Sequence, residues 1–111
     1  MSGDSGQVVV LVTTSSEEEA EKIASLLLEK RTAACVNVIP RVSSWFWWQG
    51  KLDSAQESLL IIKTRASLVP QLTDIVKKAH SYTVPEIVAL PIVAGNADYL
   101  DWVDQETSQT S

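Results

Sequence analysis

The order of hydrophobic and polar positions predicts a strand followed by a helix at the start of the chain. Val8 to Thr14 is an unbroken run of mostly apolar, β-branched residues, which is typical of a strand buried on both faces in the middle of a sheet. Ser16 followed by Glu19 matches a capping box, so the first helix is predicted from Ser16 to Arg31. Its buried stripe consists of apolar residues at helical spacing, namely Ala20, Ile23, Ala24, Leu27 and Leu28.

A long β-hairpin is predicted for the middle of the chain. Ala33 to Ile39 and Val42 to Trp48 share one strand direction, which Pro40 interrupts as proline does at an edge or a bulge. Gln49-Gly50-Lys51 is a short connection that contains glycine, and Leu52 to Thr64 returns as the third strand. Each arm is about 15 residues long, against about 5 to 6 in an ordinary strand. We therefore expect the tip to project beyond the core.

The second half of the chain predicts a helix, a strand and a last short helix. Ser67 is the expected cap of a second helix that ends near His80 and carries the apolar stripe Leu68, Leu72, Ile75, Val76 and Ala79. Glu86 to Val93 is the predicted fourth strand. Gly95-Asn96 stops that strand and caps a third helix from Ala97 to Gln105.

The resulting order, β-α-β-β-α-β plus a C-terminal helix, predicts an α+β fold of the ferredoxin-like type with an antiparallel sheet. We expect one domain over residues 7–105, with flexible termini at 1–6 and 106–111. Both main helices would cover the same face of the sheet, which leaves the opposite face bare. The run Trp45 to Trp48 is bulky on both sides of its strand. In a chain of 111 residues, the expected cover for these surfaces is another copy of the chain.

Composition narrows the classes of partner and compartment. The formal net charge of −5 argues against binding to a nucleic-acid backbone. A single cysteine forbids an internal disulfide and fits a reducing compartment. The start of the chain lacks a basic region, and Val8 to Val12 is too short for a signal-peptide core or a membrane span. We therefore predict a cytoplasmic protein with no membrane contact.

His80 is the first candidate for chemistry, because a neutral imidazole binds copper and other transition metals and three copies in an assembly could supply a ligand set. The alternative is a histidine that only interacts with the exposed carbonyls at the end of its helix. Tyr82 and Glu86 could orient the ring or add oxygen ligands, and Glu57 could approach from the hairpin. On the alternative interpretation these three are ordinary polar groups of an interface.

Two further residues have a binding and a structural interpretation. Cys35 is a soft ligand suited to cuprous ion, yet a buried free cysteine is usually inert. Lys63 could approach an anionic ligand, or form a salt bridge with Glu57 or Glu86. No nucleophile motif surrounds the single histidine, and the chain lacks a phosphate-binding loop, so we expect no enzymatic activity.

Several segments together resemble the CutA family of divalent-cation tolerance proteins. They are Arg31-Thr32-Ala33-Ala34-Cys35-Val36-Asn37, Ser44-Trp45-Phe46-Trp47-Trp48-Gln49-Gly50-Lys51, Glu57 through Lys63-Thr64, His80-Ser81-Tyr82-Thr83-Val84-Pro85-Glu86, and Asn96 through Tyr99-Leu100-Asp101-Trp102. The resemblance implies a tight trimer in which the sheets pack around a threefold axis and the hairpin reaches a neighbour. A trimer that buries an apolar sheet face and several tryptophans per subunit should be hard to unfold. The expected interface residues are Trp45, Phe46, Trp47 and Trp102, while Trp48 is a candidate for the cleft between subunits.

The chain departs from the family pattern at three positions. Ser81 stands where the family commonly has proline, so we expect a looser turn there. Val12 and Ala79 occupy positions where some members carry a cysteine and a second histidine, so a copper site built on those ligands cannot be reproduced.

The expected function is a non-enzymatic, trimeric protein of divalent-cation tolerance. It would bind copper or another divalent cation weakly at intersubunit clefts, through His80, Glu86 and Cys35 as candidate ligands, and it would need no obligatory cofactor. One alternative is a trimeric sensor of a small molecule or anion, resembling PII-type signalling proteins. Another is a stable interaction scaffold.

Overall fold

The computed structural model describes residues 6–108 and consists of one four-stranded antiparallel sheet with three helices. The strands are β1 (Gln7–Thr14), β2 (Cys35–Trp48), β3 (Lys51–Arg65) and β4 (Ile87–Pro91), and the helices are α1 (Glu17–Glu29), α2 (Val69–Ala79) and α3 (Ala97–Glu106). The sheet order is β2-β3-β1-β4, with all neighbours antiparallel. The predicted ferredoxin-like arrangement is confirmed, and β1 is central as expected.

The core lies between one face of the sheet and the two main helices. Every second residue of β1 and β3 points into it, and the stripes of α1 and α2 close it from the other side. Its fully buried members are Val10, Val12, Ala20, Ile23, Leu27, Leu60, Ile62, Leu72 and Val76. On the opposite side of β1, Val9, Leu11 and Thr13 are only half-buried. The expectation that β1 is buried on both faces is therefore wrong for the single chain.

The opposite side of the sheet, called here the open face, is also apolar. It carries Val9, Leu11, Ile39, Leu59, Ile61, Val88 and Leu90, as the strand registers show. Helix α3 covers only one end of it, where Gln7 Nε2 donates to Asp104 Oδ1 at 2.9 Å and Arg65 Nε donates to Thr107 Oγ1 at 2.9 Å. Val88 and Leu90 are 45% and 51% exposed. The described chain thus leaves most of this apolar surface to solvent.

Beyond the end of β1, strands β2 and β3 continue as a two-stranded arm, residues 42–57. Gln49 and Gly50 both have positive φ, 51° and 78°, as a two-residue type I′ turn requires. A register shift lies between Ile39 and Val42, next to Pro40, and Arg41 adopts a φ of 59° there. The edge or bulge predicted at Pro40 is confirmed, since β2 is an edge strand with a register shift there. Before the shift the odd-numbered residues of β2 face the open side, and after it the even-numbered residues do.

Element boundaries differ from the predictions where local sequence is ambiguous. The capping role of Ser67 was predicted wrongly, because a 3₁₀ turn over Ala66–Leu68 comes first and α2 starts at Val69 without a side-chain cap. Strand β4 is shorter than predicted, since Pro91 ends it. The other two caps are confirmed, because Ser16 accepts from the Glu19 amide and Asn96 accepts from the Asp98 amide.

The C-terminal helix extends to Glu106, and the buried Thr107 follows it. Glu106 pairs with Arg31 at 2.8 Å, so the packed part of the chain continues past residue 105. The remaining parts of the termini predicted to be flexible, residues 1–5 and 109–111, lie outside the described residues. Within residues 6–108, no helix has the length and apolar character needed to cross a membrane.

Candidate functional site

His80 directly follows α2 and reaches the end of β1 with its ring. Its Nε2 lies 2.7 Å from the carbonyl oxygen of Thr13, and its Nδ1 accepts a hydrogen bond from the Tyr82 amide at 3.0 Å. A carbonyl oxygen only accepts, so Nε2 carries the proton and Nδ1 holds the lone pair. Both ring nitrogens are therefore occupied. A metal ion would reach Nδ1 only by displacing the Tyr82 amide.

Tyr82 joins this histidine to the base of the arm. Its hydroxyl donates to Glu57 Oε2 at 2.8 Å, and its ring centroid lies 4.8 Å from that of His80 at a tilt of 44°. Burial raises the pKa of Tyr82 to about 12, helped by the hydrogen bond and the charge of Glu57 and by the charge of Glu19. Near neutral pH the phenol thus stays a hydrogen-bond donor. It orients the Glu57 carboxylate instead of serving as a phenolate ligand.

Glu19 ties the turn after α2 to the start of α1. Its Oε2 accepts from the Ser81 amide at 2.6 Å, and its Oε1 accepts from the amide and hydroxyl of Ser15 at 3.0 and 3.1 Å. Burial raises the pKa of Glu19, but the hydrogen bonds from Ser15 and Ser81 outweigh it and hold the pKa below its ordinary value. A proline at position 81 could not make this hydrogen bond, because proline has no amide hydrogen.

The turn at Ser81, expected to be looser than one with proline, is held by two hydrogen bonds in this structure. The Ser81 amide donates to Glu19 Oε2, and the hydroxyls of Ser81 and Ser15 share a hydrogen bond of 3.2 Å. We call Glu19, Glu57, His80, Ser81 and Tyr82 the arm-base cluster. Most of its polar atoms form hydrogen bonds with each other or with the end of β1. The cluster therefore holds α1, the turn after α2 and the base of the arm together.

A groove of about 230 Å³ lies beside the arm-base cluster, between the start of α1 and the bulge in β2. Ser16, Glu17, Arg41 and Glu57 line it, together with other polar residues of the arm base. Two carboxylates and one guanidinium give it mixed charge. Glu57 is only 9% exposed, so its carboxylate is largely shielded from solvent.

Cys35 and Lys63 lie far from the arm-base cluster. They are register partners on β2 and β3. Lys63 lies six residues from Glu57 along β3, which is a distance of about 20 Å. Lys63 Nζ donates to Asn37 Oδ1 and makes no ion pair with another described residue, so the predicted salt bridge to Glu57 or Glu86 is absent within residues 6–108. Cys35 is half-buried beside Tyr99, whose pKa is raised by burial and by this thiol.

Trp48 lies far from the arm-base cluster in the single chain, whereas Glu86 lies toward the end of β1 that His80 contacts, because its neighbour Ile87 pairs with Val12. Glu86 is an exposed residue just before β4, and Trp48 lies at the tip of the arm opposite Lys51, again about 20 Å from Glu57 along β3. Among the described residues, no group of three histidine, cysteine, aspartate or glutamate side chains could hold a metal ion. The candidate ligands His80, Glu86 and Cys35 are therefore not brought together within one chain.

The residues predicted for the interface are exposed. Trp45 and Trp47 are 71% and 75% exposed and lie on the same side of the arm, while Phe46 and Trp48 lie on the other side. Trp102 projects from α3 and stacks on Tyr99 with ring centroids 5.6 Å apart. The prediction that the aromatic run is bulky on both faces is confirmed.

The sequence did not predict the contacts of Thr13 with His80 and of Ser15 with Glu19, nor the second role of Glu19. The spacing from Ser16 to Glu19 did indicate a cap, and the Ser16 hydroxyl accepts from the Glu19 amide at 3.1 Å. The carboxylate of Glu19, however, turns to Ser15 and Ser81 instead of closing the capping box. A partner 62 residues away leaves no local signal in the sequence.

Comparison with known proteins gives consistent matches over nearly the whole chain. A family model described as CutA1 divalent ion tolerance protein matches residues 8–106. The divalent-cation tolerance protein CutA of Thermus thermophilus is 52% identical over 99 residues, covering 89% of this chain and 96% of that protein. Human Protein CutA is 50% identical over 92 residues, covering 83% of this chain. The chain spans about half the length of the human and mouse relatives, 51% and 52%.

Solved structures of this kind share the fold closely. CutA1 from Oryza sativa superposes with a TM-score of 0.91 at 43% identity, covering 98% of this chain and all of that one. The divalent cation tolerance protein from Thermus thermophilus superposes with a TM-score of 0.90 at 51% identity, covering 92% of this chain and 99% of that one. The chain belongs to the CutA1 family of divalent ion tolerance proteins.

Proposed function

We propose that the chain acts as a cytoplasmic, non-enzymatic homotrimer that binds copper or another divalent cation weakly in clefts between subunits. Its role would be in tolerance of, or response to, such cations. Family membership supports the general role. The lone free cysteine, Cys35, fits a reducing compartment. The exposed aromatic residues of the arm, next to the arm-base cluster, are the observation that supports assembly and a cleft between subunits.

Assembly is supported by two apolar surfaces that one chain leaves uncovered. The open face exposes a row of aliphatic side chains on the central and edge strands, and the arm exposes three tryptophans, Trp45, Trp47 and Trp48. Exposed apolar patches of this kind usually mark an interface. Closed symmetry lets identical copies cover both surfaces at once, with each arm lying against a neighbour.

Weak binding of a cation is supported by the state of His80. Its imidazole has the chemistry for copper, but Nδ1 already accepts from the Tyr82 amide, so binding must break that hydrogen bond. Glu57 and Glu19 place negative charge near Tyr82, whose ring lies against that of His80, and Glu86 is exposed and so available to a neighbour's cleft. A second subunit would have to complete the ligand set, because the described chain does not hold one.

Calorimetric titration of the metal-free protein with Cu²⁺ tests the cation site. His80→Asn is the variant of choice, because the asparagine carbonyl can still accept from the Tyr82 amide while the imidazole ligand is lost. We expect Cu²⁺ binding to the parent protein and a several-fold loss of affinity in His80→Asn. Glu86→Gln should weaken binding to a smaller degree.

The control is Asp74→Asn, which removes a carboxylate from the outer side of α2, away from the arm-base cluster. It should leave copper binding unchanged. Absence of binding to the parent protein, or equal affinity in the parent and His80→Asn, would reject the site at His80. Equal weakening by Asp74→Asn would show a nonspecific effect of net charge.

The groove at the base of the arm favours a second candidate, a sensor of a small anion. Arg41 and the amide end of α1 border it and could hold a negative group. Glu17 and Glu57 line the same groove and oppose an anion, so this candidate ranks second. A nucleotide or inorganic anion that raises the melting temperature while copper does not would reverse the ranking.

A further inference from the structure

A second groove lies on the helical side of the molecule, between α1 and α2. It has a volume of about 560 Å³ and is lined by Lys22 and Leu26 of α1, by Lys30 directly after that helix, and by Asp74, Ile75 and Lys78 of α2. The core and the sheet separate it from the open face. Assembly through the open face would leave this groove at the outside of the trimer.

The rim of this groove is basic, although the chain as a whole is acidic. Three lysines face one aspartate there, while the formal net charge of the chain is −5. Lys22 and Lys78 are exposed, and neither forms an ion pair with another described residue. Their charge is therefore available to a ligand that carries carboxylates or other anionic groups.

The floor of the groove is apolar and selects among anionic ligands. Leu26 and Ile75 are half-buried there, beside the fully buried stripes of the two helices. A phosphate or another small anion would contact the lysines and leave the apolar floor exposed to water. A ligand that uses both features has an apolar side flanked by negative charges.

The dimensions of the groove fit a third helix. With 13 and 11 residues, α1 and α2 are about 20 and 16 Å long at 1.5 Å per residue. A helix of about three to four turns can lie along the groove between two neighbouring helices, with its apolar residues on the floor. Lys22 and Lys30 are eight residues apart, so they stand two turns apart along one rim.

We propose that the groove between α1 and α2 is a docking surface for an acidic amphipathic helix of a partner protein. The apolar side of that helix would contact Leu26 and Ile75, and its carboxylates would pair with Lys22 and Lys78. This surface is independent of the cation site and of the assembly proposed above. A partner protein would be able to bind this groove while the open face is covered by other copies of the chain.

Fluorescence anisotropy of a labelled synthetic peptide tests this proposal. The peptide has about 16 residues, with leucines along one side of a helix and glutamates on both flanks. We expect it to bind the full-length protein, and Lys22→Glu combined with Lys78→Glu to lower the affinity by about tenfold. Leu26→Asp should also lower the affinity, because it makes the floor polar.

The matched control is Lys77→Glu, because Lys77 is exposed on α2 beside Lys78 but does not line the groove. It should change the affinity less than about twofold. The proposal is overturned if the peptide does not bind, if the control weakens binding as much as the groove variants do, or if a peptide with lysines in place of glutamates binds equally well. Vesicles containing phosphatidylserine that bind the protein when the peptide does not would overturn it in favour of a membrane surface.

Discussion

At the scale of single residues, the base of the arm depends on polar groups that satisfy each other. Glu57 is nearly buried, and the Tyr82 hydroxyl compensates its charge with a hydrogen bond of 2.8 Å. His80 uses one nitrogen as donor and the other as acceptor. Loss of one member therefore leaves its partner without a hydrogen bond in a shielded place, which costs more than the bond itself contributed.

Tyr82→Phe should lower the free energy of unfolding by about 1 to 3 kcal/mol, because it removes the donor to a buried carboxylate. Denaturant unfolding of the parent and the variant measures this difference. In a double-mutant cycle with Glu57→Gln, the two losses should not add, since both changes act on the same hydrogen bond. Fully additive losses would show that the two residues do not interact.

The hydrogen bonds to Glu19 predict a pH-dependent contribution to stability. Its folded pKa lies below the ordinary value of 4.5, so the ionised carboxylate stabilises the fold above that pH and the contribution is lost as the pH falls through the lowered folded value. Glu19→Gln should thus be less stable than the parent at neutral pH, and the gap should narrow in acid. Thermal unfolding between neutral and acid pH measures it.

The matched control for this prediction is Glu18→Gln, which removes the same charge from an exposed position of the same helical turn. Its stability relative to the parent should depend less on pH. A gap for Glu19→Gln that stays constant across the carboxylate range would contradict the hydrogen-bonding role assigned to Glu19.

At the scale of elements, the hairpin is the feature that local sequence defines best. Gly50 has a φ of 78° and nothing within 4 Å of the position where a Cβ would stand, so a side chain there meets backbone strain but no clash. Gly50→Ala should lower stability by about 1 to 2 kcal/mol. Thermal or denaturant unfolding checks this value.

Gly95→Ala is the control for the turn, because its backbone is not left-handed and an added Cβ would meet Leu100 at an ordinary contact distance of 3.5 Å. This variant should be close to neutral. If the two alanine variants lose the same stability, the type I′ turn does not impose the strain assigned to Gly50.

Hydrophobic periodicity predicted the strands and helices. Contacts between residues that are distant in sequence could not be predicted from it. The apolar runs of β1 and β3 and the stripes of α1 and α2 predicted strands and helices within a few residues, and Pro40 marked the bulge. Ser67 misled, because tertiary packing starts α2 at Val69 after a 3₁₀ turn. His80 was recognisable as the only histidine, but its bond to the Thr13 carbonyl joins residues 67 positions apart.

At the scale of the whole molecule, a single chain leaves two apolar surfaces exposed to solvent. The core is closed by α1 and α2, while the open face and the arm remain exposed. The molecule measures 44 Å along its longest axis. Identical copies that cover each other's exposed surfaces would account for this distribution.

Replacement of the aromatic residues on one side of the arm separates assembly from folding. Trp45 and Trp47 are among the most exposed residues and contribute nothing to the core, so Trp45→Thr with Trp47→Thr should keep the fold of each subunit. The double variant should dissociate at higher protein concentration than the parent, because aromatic anchors dominate interfaces of this kind. Circular dichroism checks the fold, and dilution followed by light scattering checks the assembly.

Sedimentation equilibrium of the parent protein in dilute buffer is the most direct measurement of the central claim, that copies of this chain cover the open face and the arm. We expect one species of three times 12.2 kDa that persists on dilution. A single species of 12.2 kDa over the same concentrations would contradict it.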